Sequence, residues 1–429
     1  MDNTCMQQVT RRDHGGRSVR GLLGGALVIG TLIAGSGASA GASSAAAAPG
    51  ITAKSVTVGS ISDISEPIAG LFEGAKVGTE AYFAYINSKG GVNGRKLILN
   101  GMDSAFSSGT VASEAANIAK NDFAFVGGFS LLDGSEQSAI DAGKVPMVTQ
   151  VLSPTLYTDP NLYSAIPLVT GGEATGPFKW FKSKYPADVK ALGLIGSNAA
   201  ATAVIAENTF RKLTTSLGYK WLFAHDEGAF TTSFLPDIVK MKAAGVKLVF
   251  EPTQQGAYIS NIAQEIKQEG LNAVLLSGAN AYEQGFDPGS AGNGTIVTTV
   301  TALYMGQDAK AVPAVATFDK WAKKVDPQTQ LDLYTLYGWI NAQLFVQALQ
   351  KAGANPTRAS LDAQLDKITS FNASGLISTQ DPAQKIPGQC WIAAKYENGT
   401  WLRISPDPKS GFVCSPGGFY PSSYKGISR

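Results

Sequence analysis

Histidine and cysteine are nearly absent. The 429 residues hold two histidines and three cysteines, and His14 and Cys5 both fall in the first 40 residues. His225 cannot by itself build a histidine metal site, and Cys390 and Cys414 are too few for a cysteine-rich zinc site. No G-x-S-x-G elbow accompanies His225, so it reads as a loop or strand-end residue and not as part of a triad. No P-loop occurs, and "GGFSLLDG" lacks the dinucleotide spacing of glycines. Charge is scarce too: charged residues are 16% and the net charge is +2. Arg11, Arg12, Arg17 and Arg20 against Asp2 and Asp13 account for that excess. The rest of the chain is neutral, which argues against nucleic acid or an anionic surface as its main partner. Carboxylate pairs such as Asp226-Glu227 read as solvated loop residues.

Long apolar runs are confined to the N-terminus. The arginines precede "GLLGGALVIGTLIAG", Gly21 to Gly35, and "ASA" at Ala38 to Ala40 suits a signal peptidase. We therefore expect a signal peptide over 1–40 and a flexible spacer over 41–54. The run is short and glycine-rich for a membrane span, with an uncleaved anchor as the alternative. No cysteine follows it to carry a lipid. Export leaves Cys390 and Cys414 as the one available pair, so a disulfide is expected. Between them Asn398-Gly399 is a two-residue turn signal with apolar strands on either side, a hairpin.

From residue 55 short apolar strands alternate with amphipathic helices. "YINSKGGVNGRKLIL", Tyr85 to Leu99, is a helix end, a glycine stop, a turn and a strand, because glycine reaches φ > 0 at little cost. The rhythm runs through "SVTVGSI", "RKLIL", "FAFVGG" and "VPMVT". It restarts at "ALGLIGS" and continues through "YKWLFA", "VKLVFE" and "NAVLLSG". This predicts an α/β fold with parallel sheets covered by helices on both faces. Two sets of four strands point to two lobes, with Tyr163 to Gly176 as a hinge segment. Lobe one is expected over 55–170 and 300–375, and lobe two over 171–299 and 376–429. Helices are expected near Val315 to Val325 and Asp332 to Ala352, and Thr357 is an N-cap candidate. Ligands of such folds sit beyond the carboxyl ends of the strands, where "SDISEP", "TQVLSPT", "GSNAAAT", "EPTQQGA" and "SGANAYE" supply small polar groups.

"VTVGSISDISEPIAGLFEGAKVGTEAYFAYINSKGGVNGRKLIL" resembles the opening of the periplasmic leucine/isoleucine/valine-binding proteins, the type I solute receptors of ABC importers. "FAFVGGFSLL", "VPMVTQVLS" and "VKLVFEPTQQGAYISNIAQEIKQEGL" follow in the family's order. The resemblance covers roughly 55–370. It implies two doubly wound parallel-sheet lobes joined by a three-segment hinge, closure around one small molecule, an ABC permease as partner, no cofactor, no enzymatic activity and a periplasmic or extracellular location. A ligand-sensing receptor on the same fold is the alternative.

The resemblance implies a ligand site at Ser130, Val151 and Ser153 from lobe one and at Gln255 and Asn280 from lobe two. Gln150 and Gln254 are further polar candidates, with Phe72 and Phe129 as apolar walls. Where the family places an acid for the ligand ammonium, this chain has Asn280. A branched-chain amino acid is therefore not expected to bind well unless Asp133 or Glu251 supplies the charge. A neutral or monocarboxylate ligand suits the site better.

Overall fold

The computed structural model describes residues 48–422, apart from 66, 69, 168–171, 229 and 415–417. The expected signal peptide lies outside the described residues, as does part of the hinge segment. The first unit is strand β1 (Ser55–Ser62), helix α1 (Glu73–Asn87) and strand β2 (Lys96–Asp103). Gly90, Gly91 and Gly94, with φ of 101°, 77° and 79°, turn the chain between α1 and β2 as the sequence suggests. Then come α2 (Ser108–Asn121), β3 (Phe125–Val126), α3 (Gln137–Gly143), β4 (Met147–Val148) and β5 (Leu162–Tyr163). All five strands are parallel in the order β2-β1-β3-β4-β5. Side chains alternate across this sheet. Val58, Val126, Val148 and Tyr163 enter the core under α1, while Ile61, Phe125, Met147 and Leu162 enter the core under α2 and α3.

The second set begins with β6 (Glu173–Ala174) and α4 (Gly176–Lys184). It continues with β7 (Leu192–Ser197), α5 (Ala201–Ser216), β8 (Trp221–Glu227), α6 (Leu235–Ala244), β9 (Leu248–Glu251), α7 (Gly256–Gln268), β10 (Val274–Ser277) and β11 (Ile296–Thr299). These five larger strands are parallel in the order β8-β7-β9-β10-β11, the same order as the first sheet. The chain then returns to the first sheet's helices. Helices α8 (Pro313–Val325) and α9 (Leu333–Ala352) pack on α1, and α10 (Arg358–Leu365) packs on α9. Thr357 caps α10 through a capping box. A third passage brings β12 (Cys390–Glu397) and β13 (Thr400–Ser405) antiparallel onto β11, followed by β14 (Val413–Cys414) on β12 and β15 (Phe419–Tyr420) on β6. The fold is therefore two α/β lobes joined by three chain passages.

The tightest junction is α1 against α9. A methyl on Gly78 would lie 1.9 Å from the Thr335 carbonyl oxygen, and one on Gly338 would lie 2.0 Å from the Ala75 carbonyl oxygen. Both backbones approach because neither residue carries a Cβ. Arg358 adds a second clamp. Its guanidinium donates to the carbonyls of Ala119, Asp122, Phe123 and Gly143 at 2.6–3.1 Å, at the C-terminal ends of α2 and α3. Those ends carry the negative pole of each helix, which a cation stabilises.

Two consequences are measurable. Gly338→Ala should destabilise the protein by about 2 kcal/mol or more, the upper range for overpacking a rigid contact, read as a lower urea midpoint at unchanged slope. Cys390 and Cys414 are bonded and 24 residues apart. Replacing both by Ser should cost about 3 kcal/mol on the loop-closure estimate. An unchanged midpoint would show that β12–β14 pairing alone holds this edge.

Candidate functional site

Each sheet has a switch point where strand order reverses, between β1 and β3 and between β7 and β9. Ligands of open α/β sheets bind there, beyond the carboxyl ends of the strands. A cavity of about 390 Å³ is lined by the loops after all four of these strands. The loops after β10 and β11, the start of α9, the start of β12, and residues of β6, α4 and α5 also line it.

From the first lobe four rings form one wall. Phe72 lies 4.6 Å from Phe129 and 4.6 Å from Tyr334, and Phe129 lies 5.2 Å from Tyr334 and 6.0 Å from Tyr337, centroid to centroid. From the second lobe Phe178, Phe210 and Phe250 form a separate ring cluster, with centroids 5.5–5.8 Å apart. Gln254, Gln255 and Asn280 also line the cavity. Gln255 is the N-cap residue of α7, and its side chain reaches the Tyr334 phenol of α9, so the two lobes touch here. The Gln254 amide donates to the Gly196 carbonyl at 3.3 Å, and that of Asn280 to the Thr253 carbonyl at 3.4 Å.

Of the residues expected at a ligand, Phe72, Phe129, Gln254, Gln255 and Asn280 come together in this lining. Ser130, Gln150, Val151 and Ser153 do not line it. The reason is local and polar. Asp63 accepts from the Ser130 hydroxyl at 2.7 Å and from the Leu131 N–H at 2.8 Å, so that hydroxyl builds its own turn. Gln150 donates to the Ile166 carbonyl at 2.9 Å and accepts from Ser164. The Val151 carbonyl accepts from the Tyr157 hydroxyl, and the Ser153 hydroxyl bonds that of Thr155. Asp133 and Glu251 are not free to swing towards a ligand. Asp133 is buried and accepts from the Leu152 N–H, and Glu251 accepts from the N–H groups of Thr253 and Gln254 and the Ser277 hydroxyl. Glu207 and Glu283 likewise hold the N–H groups of Ser197 and Gly256, at 2.6 and 2.8 Å. These acids shape the loops around the cavity and leave its surface uncharged, with one exception. Glu173 of β6 lines the cavity, and among the described residues no lysine, arginine or histidine does.

Sequence reading missed Tyr334 and Tyr337, which stand three apart on one face of α9. It also missed Phe178, Phe210 and Trp391, which no local motif marks. Glu173 sat within the segment read as a hinge.

Burial pushes Asp133 and Glu251 up to about 7 and Glu283 up to about 8, the last helped by Asp332 nearby. Such a carboxyl keeps in the folded chain a proton that the unfolded chain gives up. Its contribution is fully present below the ordinary carboxyl value and is lost as pH rises through the raised one. The melting temperature should therefore be highest near about pH 5 and fall towards pH 8. Glu283→Gln should flatten part of that slope, and a stability that rises from pH 5 to 8 would contradict the assignment.

A family model described as "Periplasmic binding protein" matches residues 55–400. A "Leu/Ile/Val-binding protein homolog 1" of Brucella suis is 25% identical over 338 residues, covering 75% of this chain and 85% of that protein. Among solved structures, a fatty acid ABC transporter substrate-binding protein from Thermomonospora curvata is similar with a TM-score of 0.71 at 18% identity, over 87% of this chain and 97% of that one. A branched-chain amino acid transporter substrate binding protein from Streptococcus pneumoniae, in complex with isoleucine, has a TM-score of 0.67 at 15% identity, over 82% and 100% of the two chains.

Proposed function

Since the chain belongs to the periplasmic binding protein family, and is a binding protein and not an enzyme, we propose that it is an exported receptor that closes on a bulky, largely apolar small molecule and delivers it to an ABC-type permease. The N-terminal 40 residues serve as the export signal in this reading. Lobe one is 55–170 with 300–375, and lobe two is 171–299 with 376–429. The observation that carries the reading is the cavity lining. Two aromatic clusters, one from each lobe, face a common space, and the polar groups lining it are hydroxyls and neutral amides, those of Gln254, Gln255 and Asn280 among them, with Glu173 as the one charged residue type among the described residues. Closure then gains contacts from both lobes at once, and the ligand shifts the population towards the closed form.

The same lining disfavours a free branched-chain amino acid. A zwitterion needs an anion beside its ammonium, and burying an unpaired charge is expensive. Asn280 stands where the family's acid is expected. Glu207, Glu251 and Glu283 beside the cleft are spent on backbone N–H groups. Apolar bodies gain from ring burial at roughly 25 cal/mol per Å².

The test is a thermal-shift and calorimetry panel of isoleucine, leucine, phenylacetate and nonanoate with the purified protein. Ligand present at about 100 times its dissociation constant should stabilise the fold by about 2.7 kcal/mol. The apolar acids should do so and the amino acids should not. Tyr334→Ala should weaken the binding that is found. Micromolar binding of isoleucine, with none of the apolar acids bound, would return the chain to the amino-acid receptors.

A further inference from the structure

The cavity does not stop at the cleft. It reaches into the second lobe along α5, where Thr202, Ala203, Ala206 and Phe210 all line it. Thr202, Ala206 and Phe210 recur every four residues and so stand on one face of that helix. Phe178 of α4 and Phe250 of β9 line the cavity too, and with Phe210 they form the ring cluster whose centroids lie 5.5–5.8 Å apart. One turn further along each helix, Phe181 and Leu213 are fully buried and do not line the cavity. The three rings therefore close its inner end. The two ends differ in polarity. At the cleft end stand Ser197, Gln254 and Thr202, and the buried Thr202 hydroxyl has no hydrogen-bond partner among the described residues. Beyond them Ala203, Ala206 and the rings carry no hydrogen-bonding side chain. Ordered water needs polar partners, so this inner part suits an apolar occupant.

Resting on the reading of an apolar receptor site, we propose that α5 sets the length of the ligand: an unbranched apolar chain lies along the face of Thr202, Ala206 and Phe210 with its polar head at the cleft, and Ala206 and Phe210 determine the longest chain that fits.

The length follows from the helix. From Thr202 to Phe210 the helix advances about 12 Å at about 1.5 Å per residue. An extended alkyl chain with bonds of about 1.5 Å advances about 1.25 Å per carbon, so this face matches roughly nine or ten carbons. A compact ligand held between Phe72, Phe129 and Tyr334 would leave the α5 part empty, and the atoms lining an unfilled apolar space forfeit their dispersion contacts. A chain gains those contacts along its whole length. Ala206 stands midway, where a larger side chain would occupy the path, and Phe210 stands at its end.

The experiment titrates hexanoate, octanoate, decanoate, dodecanoate, phenylacetate and isoleucine by calorimetry into the wild-type protein, Ala206→Leu and Phe210→Ala. Circular dichroism confirms that the variants fold, and Ala206→Val replaces Ala206→Leu if the latter does not. In the wild type the affinity of the linear acids should rise roughly fourfold per added methylene, the worth of one buried CH₂. It should level off near roughly nine or ten carbons. Ala206→Leu should weaken decanoate at least roughly tenfold more than it weakens hexanoate. Phe210→Ala should move the plateau the other way, so that dodecanoate binds more tightly than decanoate. A loss that is equal at every chain length in both variants would overturn the role of α5, as would a wild-type affinity that keeps climbing through dodecanoate. Phenylacetate bound more tightly than every linear acid would overturn the unbranched chain while leaving the apolar receptor standing. Isoleucine bound with none of the acids bound would overturn both.

Discussion

The crossing of α1 and α9 is the constraint on which the rest of the first lobe depends. Two helices separated by about 250 positions in the chain meet backbone to backbone at Gly78 and Gly338, a contact that any side chain would prevent. The Ala75 carbonyl, against which Gly338 packs, also accepts the Thr79 hydroxyl at 2.9 Å, so the polar groups at the crossing are satisfied within α1 itself. The crossing carries Tyr334 and Tyr337, at the start of α9, over to Phe72, just before the start of α1. The aromatic wall of the cavity is thus a by-product of helix packing. It also explains why the chain must travel through the second lobe and come back. Helix α1 covers that face of the first sheet over β1 and β2, and the face over β3 and β4 waits for α9.

Electrostatics at the cleft follow one rule. The carboxyl ends of parallel strands are crowded with free N–H groups of loops and helix starts, and buried carboxyls collect them. Asp63 holds the turn after β3 from its place after β1, and Glu251 holds its own loop together with Ser277. Asp308 meets Arg403 in a buried ion pair and also accepts from the Leu303 N–H, which joins the hairpin to the segment leading into α8. Each acid gains its hydrogen bonds and loses its freedom to meet a ligand. Loops held in this way are fixed in one geometry within each lobe.

Much of the fold was legible because its signals are local. The glycines after α1, the Thr357 cap and the Asn398-Gly399 turn each depend on a few neighbours. Strand β5 was missed because two residues, Leu162 and Tyr163, carry no periodicity. The site was half legible. Loops after strands could be found, and Phe72, Phe129, Gln254, Gln255 and Asn280 do line the cavity. Which loop hydroxyls remain free could not be found, because the partner of Ser130 is Asp63, 67 positions away. The aromatic content of the wall was hidden for the same reason. Tyr334 and Phe178 look like core residues until the opposite lobe shows what they face.

The two sheets share one strand order, and that symmetry bears on how such a receptor changes its ligand. The switch points face each other, so every ligand placed between them meets the same eight or so loop ends whatever its chemistry. The backbone of those loops is held by acids on the far side from the ligand. Side chains on the near side can therefore vary without loosening the fold, which is consistent with a TM-score of 0.71 at 18% identity to one solved structure. In this chain the near side carries rings and amides. The disulfide reinforces the same surface: Cys390 and Trp391 begin β12 and also line the cavity, so the covalent bond to Cys414 fixes a wall that no other sheet neighbour covers at that end. A wide apolar cavity gives up the packing that a filled core would supply, and a covalent tie at its rim offsets part of that loss without placing a polar group inside it.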